Sequence, residues 1–106
     1  MVTFEEFQKL DIRIGKVLSA EKIEGSSKLI KLEIDLGEEK RQVITGMAEF
    51  YEPDYFLNKN LVILANLEPR KFMGIESQGM ILAADVAGQP ILLIPEKETP
   101  PGSIIK

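Results

Sequence analysis

The segment Leu29–Leu36 alternates between apolar and charged side chains from Ile30 onwards, and it constrains the fold more than any other stretch. Its even positions are all apolar, while the odd positions Lys31, Glu33 and Asp35 are charged. A period of two is the pattern of a β-strand that buries one face and exposes the other. The sequence therefore predicts a sheet with a solvated outer face.

Five further segments have strand character: Ile12–Ile23, Arg41–Thr45, Leu61–Leu67, Met80–Ala84 and Ile91–Ile94. In the first of these, Ile12 and Ile14 should point inward, and Lys16 falls at the next inward position. The phase must therefore slip near Gly15. Such a slip indicates a bulge or a sharp bend. Pro53–Leu57 predicts a short helical turn after the third strand, and Val86–Pro90 predicts the turn of a hairpin.

A short helix is expected at the start of the chain, over Thr3–Leu10, because Thr3 and Glu6 have the spacing of a capping box. Together these elements predict an all-β protein: a five-stranded OB-fold barrel with a short N-terminal helix and a C-terminal hairpin extension. With 106 residues, the chain is expected to form a single domain over residues 1–106.

The composition argues against catalysis. The chain has no Cys and no His, so it lacks thiol nucleophiles and the commonest general base and metal ligand. Glu33 and Asp35 could share acid-base work, but a solvated strand face explains them better. We therefore expect no enzyme activity, no cofactor and no metal. The sequence has neither a membrane-length apolar run nor the pattern of a secretory signal, and a cytoplasmic location is expected.

The stretch Ala65–Asp85 has the composition of a binding loop. It places two cations, a proline, two glycines and small polar side chains between apolar segments. Pro69 fixes the exit from the preceding strand, and Gly74 lets the chain turn back, so Arg70 and Lys71 should lie on a defined protrusion.

The net charge of −4, from 13 basic and 17 acidic residues, argues against nucleic acid as a general ligand. The basic residues are nevertheless concentrated in two regions, and a local basic patch is sufficient for phosphate contact. This patch would form if the fold brought together Lys28, Lys31, Lys40, Arg41, Arg70 and Lys71.

Five motifs in order give the chain a family resemblance: Phe7–Val17, Arg41–Ala48, Tyr51–Pro53, Ala65–Pro69 and Gly74–Met80. They resemble the tRNA-binding domain found at the C-terminal end of many methionyl-tRNA synthetases, in free-standing structure-specific tRNA-binding proteins and in endothelial monocyte-activating polypeptides. The loop Gly25–Ser27 departs from the family's acidic segment but keeps the lysine after it.

The resemblance implies recognition of folded tRNA, either as a domain of methionyl-tRNA synthetase or as a free-standing homologue that docks with the synthetase. It also implies a homodimer, formed through residues 1–10 and 87–106. By position, six residues of this chain would face the RNA: Lys28, Arg41, Asn66, Lys71, Ser77 and Met80.

Several of these residues have a structural explanation beside the functional one. Arg41 is expected to point away from the core and bind a phosphate or base, but it could simply pair with Glu39. The Asn66 amide must bond either the backbone or RNA, and the Ser77 hydroxyl could bind a phosphate or form a turn. Met80 could pack under a base or begin a core strand.

The sequence leaves other interpretations of Phe72 and of the function open. Phe72 could stack on a base, shield the barrel mouth or contact a subunit. The main competing class is a dimeric export chaperone of the same fold that binds peptides. A generic single-strand binder is disfavoured, because the chain has only seven aromatic residues and an acidic balance.

Overall fold

The computed structural model describes all 106 residues and has nine strands and one α-helix, α1 (Phe4–Gln8). The strands are β1 (Ile12–Lys22), β2 (Ile30–Asp35), β3 (Lys40–Thr45), β4 (Asn60–Leu64), β5 (Arg70–Phe72), β6 (Ile75–Ser77), β7 (Met80–Ile81), β8 (Ala83–Val86) and β9 (Gln89–Leu92). Five of them form an antiparallel sheet in the order β3-β2-β1-β4-β7. This sheet curls into a nearly closed barrel, which confirms the predicted OB-like fold class.

Strand β2 has the alternation that its sequence predicts. Ile30, Leu32 and Ile34 are fully buried, and the residues between them are exposed or half-buried. Their side chains join a core of twelve buried residues that also contains Phe56, from the 3₁₀ helix Pro53–Phe56. The predicted helical turn is therefore confirmed, and its aromatic residue helps to fill the barrel.

Strand β1 changes partners where its pattern predicts a change of phase. It pairs with β4 from Ile12 to Lys16 and with β2 from Lys16 onwards. Burial shifts from Ile12 and Ile14 to Gly15 and Val17, so the phase slip near Gly15 is confirmed. A Cβ at Gly15 would lie 2.4 Å from Cγ2 of Ile34, so only glycine fits there. The interruption of the β1–β2 ladder comes later, between Val17 and Ser19.

The loop after β4 contains an unexpected hairpin. The predicted strand Leu61–Leu67 ends at Leu64, and β5 and β6 then pair antiparallel across a two-residue turn. Met73 and Gly74 form this turn with φ values of 53° and 81°, as hairpin turns with a right-handed twist require. The protrusion expected at Arg70 and Lys71 is thus a β-ribbon.

The predicted strand Met80–Ala84 divides at Leu82 into β7, which belongs to the barrel, and β8, which leaves it. β8 and β9 form the expected C-terminal hairpin. The tail then returns to β1, where Ile14 N donates to Ser103 O at 2.8 Å and Gly102 N donates to Ile14 O at 2.7 Å. The last residues therefore cover the free edge of β1 within the same chain.

At the other end of the chain, the capping box of α1 is confirmed by reciprocal bonds of 3.1 Å between Thr3 and Glu6. The helix buries none of its residues, and Phe4 is 71% exposed. No helix of the protein is both long enough and apolar enough to cross a membrane.

Candidate nucleic-acid interface

A polar groove of about 290 Å³ runs across the outer faces of β1, β2 and β3. Lys31 and Glu33 line it from β2, and Lys40 and Gln42 line it from β3. Lys31 is paired with Glu21 at 2.7 Å, whereas Lys40 has no carboxylate within 4.0 Å. In OB-fold barrels the β2–β3 face and the two loops beside it bind oligonucleotides. The groove and its flanking loops are therefore the candidate site.

The first flanking loop connects β1 to β2 and contains Lys28. Ser26 Oγ accepts hydrogen bonds from the backbone N–H groups of Lys28 and Leu29, at 3.2 and 3.1 Å. Ala48 N donates to Lys28 O at 3.0 Å. The backbone is thus held from both sides, while the Lys28 ammonium group is exposed and has no carboxylate within 4.0 Å.

The second flanking loop is the hairpin of β5 and β6. Because side chains alternate along a strand, Arg70 and Phe72 share one face of β5 and Lys71 points to the other. The guanidinium carbon of Arg70 lies over the Phe72 ring, 5.0 Å from its centre. Neither Arg70 nor Lys71 has a carboxylate within 4.0 Å.

The two loops meet beside the groove. The tip of the hairpin reaches the first loop, since a Cβ at Gly25 would lie 3.2 Å from Cε of Met73. At the base of the hairpin, Gln42 Nε2 donates to Glu76 O at 2.8 Å, and Gln78 N donates to Gln42 O at 2.8 Å. The fold therefore joins the two basic regions that the sequence keeps apart.

Arg41 does not point away from the core, and this part of the prediction is wrong. It lies opposite Ile34 and shares the inward face of β3 with Val43, at the end of the barrel. Its Nη1 donates to Ala65 O, and its Nη2 pairs with Glu39 Oε1 at 2.6 Å. The Arg41 side chain is 26% exposed and borders the β2–β3 groove, but its guanidinium group is already engaged, as the alternative pairing with Glu39 predicted.

Asn66 connects the end of β4 to the N-terminal segment. Its Oδ1 accepts from Asp11 N at 2.8 Å, and its Nδ2 donates to Lys9 O at 2.7 Å. The backbone therefore satisfies the amide on both sides. One Nδ2 hydrogen and one Oδ1 lone pair remain on this exposed residue.

Ser77 is only 4% exposed, and its hydroxyl closes the barrel. The Oγ atom accepts from Ile44 N at 2.9 Å and donates to Gly79 O at 3.0 Å. It thereby replaces a backbone acceptor along the edge of β3. This hydroxyl holds the hairpin in place, and both of its hydrogen bonds are made within the protein.

Met80 begins β7 opposite Leu64 but keeps 39% of its surface exposed. It lines a small cleft together with Phe72 and Arg70 of the hairpin. Of the six residues expected to face RNA, the structure thus exposes Lys28, Asn66, Lys71 and Met80, half-buries Arg41 and buries Ser77.

A second guanidinium at the barrel end was missed by the sequence prediction. Arg13 binds Asp11 through two bonds of 2.8 Å, from Nε to Oδ1 and from Nη2 to Oδ2. The hydrogen bonds to Asp11 are the main reason why the pKa of Arg13 is raised above its ordinary value. Burial acts in the opposite direction and lowers this pKa, while the charges of Asp11, Glu39 and Glu38 add to the rise. The sequence signal was the Asp11-x-Arg13 spacing on one face of a strand.

The family model described as "Putative tRNA binding domain" matches residues 12–104. A methionine–tRNA ligase of Archaeoglobus fulgidus is 59% identical over 102 residues, which are 96% of this chain and 16% of that protein. A methionine–tRNA ligase of Methanothrix thermoacetophila is 48% identical over 106 residues, again 16% of the relative. The chain thus spans about one sixth of the length of these curated relatives.

Two solved structures share the whole fold. The MetRS related protein of Pyrococcus horikoshii is 37% identical with a TM-score of 0.95, and the match covers 100% of this chain and 98% of that one. The chaperone CsaA of Bacillus anthracis is 35% identical with a TM-score of 0.90, and the match covers 100% of this chain and 99% of that one. With a family model matched from β1 to the C-terminal tail, the chain belongs to the tRNA-binding domain family.

Proposed function

We propose that this chain binds folded tRNA without catalysing a reaction on it. In this proposal it acts either as the tRNA-binding domain of a methionyl-tRNA synthetase or as a free-standing homologue that docks tRNA to the catalytic chain in the cytoplasm. Membership of the tRNA-binding domain family and the identity to methionine–tRNA ligases support it.

One observation carries the proposal: the cations on the two loops beside the β2–β3 groove are unpaired. Lys28 and Lys71 are exposed, and neither has a carboxylate within 4.0 Å. A protein of net charge −4 leaves these ammonium groups free at one place, where phosphates could replace their water. Recognition of folded RNA by shape and phosphate position requires such an arrangement.

The six expected residues then divide into two roles. Lys28, Lys71 and Met80 would contact the RNA, the lysines through phosphates and the methionine through a base or ribose. Arg41, Asn66 and Ser77 would hold the barrel end and the loops in the binding geometry, and Asn66 keeps one N–H for a direct contact.

A homodimer is part of the proposal. The C-terminal hairpin and the residues after it expose Val86 (58%), Ile91 (41%), Leu93 (40%) and Ile94 (62%) to solvent. Tyr51 anchors this hairpin to the barrel, because its hydroxyl donates to Pro90 O at 2.5 Å. A second copy would cover this apolar surface, together with the N-terminal helix that exposes Phe4. Sedimentation of wild type and Ile94→Asp should show a dimer and a monomer, and a monomeric wild type would contradict this part.

The binding test compares three ligands at one salt concentration: a folded tRNA, the same sequence held unfolded, and an unrelated extended peptide. The proposal predicts that only the folded tRNA binds tightly. Equal binding to both RNAs would reduce the function to nonspecific affinity.

A peptide-binding chaperone is the second candidate, because the CsaA structures cover the whole chain at TM-scores of 0.90. A cleft of about 300 Å³ between the barrel and the C-terminal hairpin, lined by Met47, Phe50 and Pro90, is available for an apolar peptide. Binding of the peptide but not of tRNA would favour this candidate.

A further inference from the structure

The molecule contains two stacks of a cation on an aromatic ring, and only one of them is open. In the first, the Tyr55 ring lies between Tyr51, with ring centres 4.4 Å apart, and the Lys59 ammonium, 3.9 Å from its centre. Both faces of Tyr55 are thus covered within the chain. A nucleobase has no free aromatic face there.

The second stack, Arg70 on Phe72, has a free outer side. Arg70 is exposed and has no carboxylate within 4.0 Å, although Glu68 lines the same cleft. The guanidinium group is held on one side by the Phe72 ring, 5.0 Å away. Its other side faces solvent, and a guanidinium plane is one of the surfaces on which unpaired RNA bases stack.

The size of the cleft decides between insertion of a base and stacking on the surface. The cleft between Arg70, Phe72 and Met80 holds about 30 Å³, roughly the volume of one water molecule. A base therefore cannot enter it. It can lie across the exposed guanidinium of Arg70 and the exposed flank of Met80.

The neighbouring charge favours a nucleotide as the occupant. Lys71 is adjacent in sequence and points to the opposite face of β5, so RNA passing over the edge of this strand can place a phosphate at Lys71 on one face and an unpaired base on Arg70 on the other. We infer that Arg70, supported by Phe72 and flanked by Met80, is a stacking platform for one unpaired base of the bound RNA. This inference rests on the proposed function and names the part of the RNA that the β5–β6 hairpin reads.

Two conservative variants separate stacking from charge. Arg70→Lys keeps the positive charge but removes the planar group, and Phe72→Leu keeps an apolar side chain but removes the ring. Each should weaken binding of folded tRNA by about 5- to 140-fold, which corresponds to the roughly 1–3 kcal/mol of one stacked base. The slope of log Kd against log salt should stay unchanged, because no phosphate contact is lost.

The matched control is Lys97→Arg, which exchanges the same two residue types on the exposed C-terminal tail and should bind like wild type. Thermal unfolding of each variant checks that the hairpin changes leave the barrel intact. A set of tRNAs, each with a single abasic position, then identifies the base. At one position, removal of the base should weaken binding of wild type but should not weaken binding of Arg70→Lys any further.

The outcomes distinguish the two proposals. If wild type binds folded tRNA and both conservative variants bind equally well, the platform is wrong and the proposed function stands. If Arg70→Lys is neutral while Arg70→Ala flattens the salt dependence by about one unit, Arg70 is a phosphate contact and the platform is also wrong. If wild type does not bind folded tRNA, both proposals are overturned.

Discussion

The arginines at the end of the barrel and the cations on the two loops have the same charge, but only the loop cations are free to bind a phosphate. Arg13 and Arg41 are each bound to a carboxylate, and Arg41 also donates to a backbone carbonyl. Lys28 and Lys71 have no carboxylate within 4.0 Å and are exposed. Counting basic residues therefore does not locate an RNA site, because a paired cation supports the fold and an unpaired one can bind phosphate.

The largest expected effect is on binding, from the double variant Lys28→Ala/Lys71→Ala. Loss of two phosphate contacts should lower the affinity for folded tRNA about 10- to 100-fold and reduce the salt slope by about two. The free energy of unfolding should change by less than about 0.5 kcal/mol, because neither ammonium group has a partner in the fold.

Salt titrations of wild type and variant measure this difference. The matched control is Lys97→Ala/Lys106→Ala, which removes the same charge from the C-terminal tail. Equal losses in the two double variants would mean that net charge, and not the loop position, determines binding.

Ser77→Ala tests the group that holds the hairpin beside the loop cations. The substitution leaves the N–H of Ile44 without its acceptor in a buried position. We expect the free energy of unfolding to fall by about 1–3 kcal/mol, measured by urea denaturation. Ser77→Thr keeps the hydroxyl and should retain part of the stability. A stable Ser77→Ala protein with weakened tRNA binding would instead make Ser77 a direct contact.

Arg41→Ala tests whether the paired arginine at the barrel end supports the fold. It removes the bond to the carbonyl of the buried Ala65 and the ion pair with the 46% exposed Glu39, so a loss of about 1–2 kcal/mol in unfolding free energy is expected. Arg41→Lys should restore little of it, because an ammonium group cannot reproduce the fork of the guanidinium. Unchanged stability together with a large loss of tRNA affinity would show that Arg41 belongs with the loop cations.

The smallest effect concerns the pH dependence contributed by Arg13. Its pKa is raised in the folded state, so its contribution to stability is complete below the ordinary arginine pKa and declines only as pH rises through the raised value. The difference in unfolding free energy between wild type and Arg13→Gln should therefore be constant from about pH 6 to pH 10. A slope in that range would assign the titration to other groups.

The parts of the fold that follow from local pattern were predictable. Strict alternation identifies β2, and the misplaced Lys16 reveals the bend at Gly15. The orientation of Arg41 was not predictable from the sequence, because Val43 and Ile44 are both apolar and both buried. Val43 lies in the core, and Ile44 lies under the β5–β6 hairpin. The inward face of β3 is thus ambiguous from sequence, and the hairpin that resolves it lies more than 25 residues further along the chain.

The candidate site was predictable in its residue types and not in its bonding. Lys71 was identified by its position between Pro69 and Gly74, and Lys28 was identified by the family resemblance. The partners of Asn66 lie 55 and 57 residues away in sequence, and Ser77 reaches Ile44 across 33. Such contacts depend on how the barrel closes, so no local pattern distinguishes a binding amide or hydroxyl from a structural one.

The RNA-binding surface can be located by mapping the backbone amide chemical shifts of the labelled protein as folded tRNA is added. If the loop cations bind the RNA, the largest changes should fall in the first loop around Lys28, in the β5–β6 hairpin and along the outer face of β3, with little change at the barrel-end residue Arg13. Changes concentrated instead on the barrel end or on the β8–β9 hairpin would contradict this prediction.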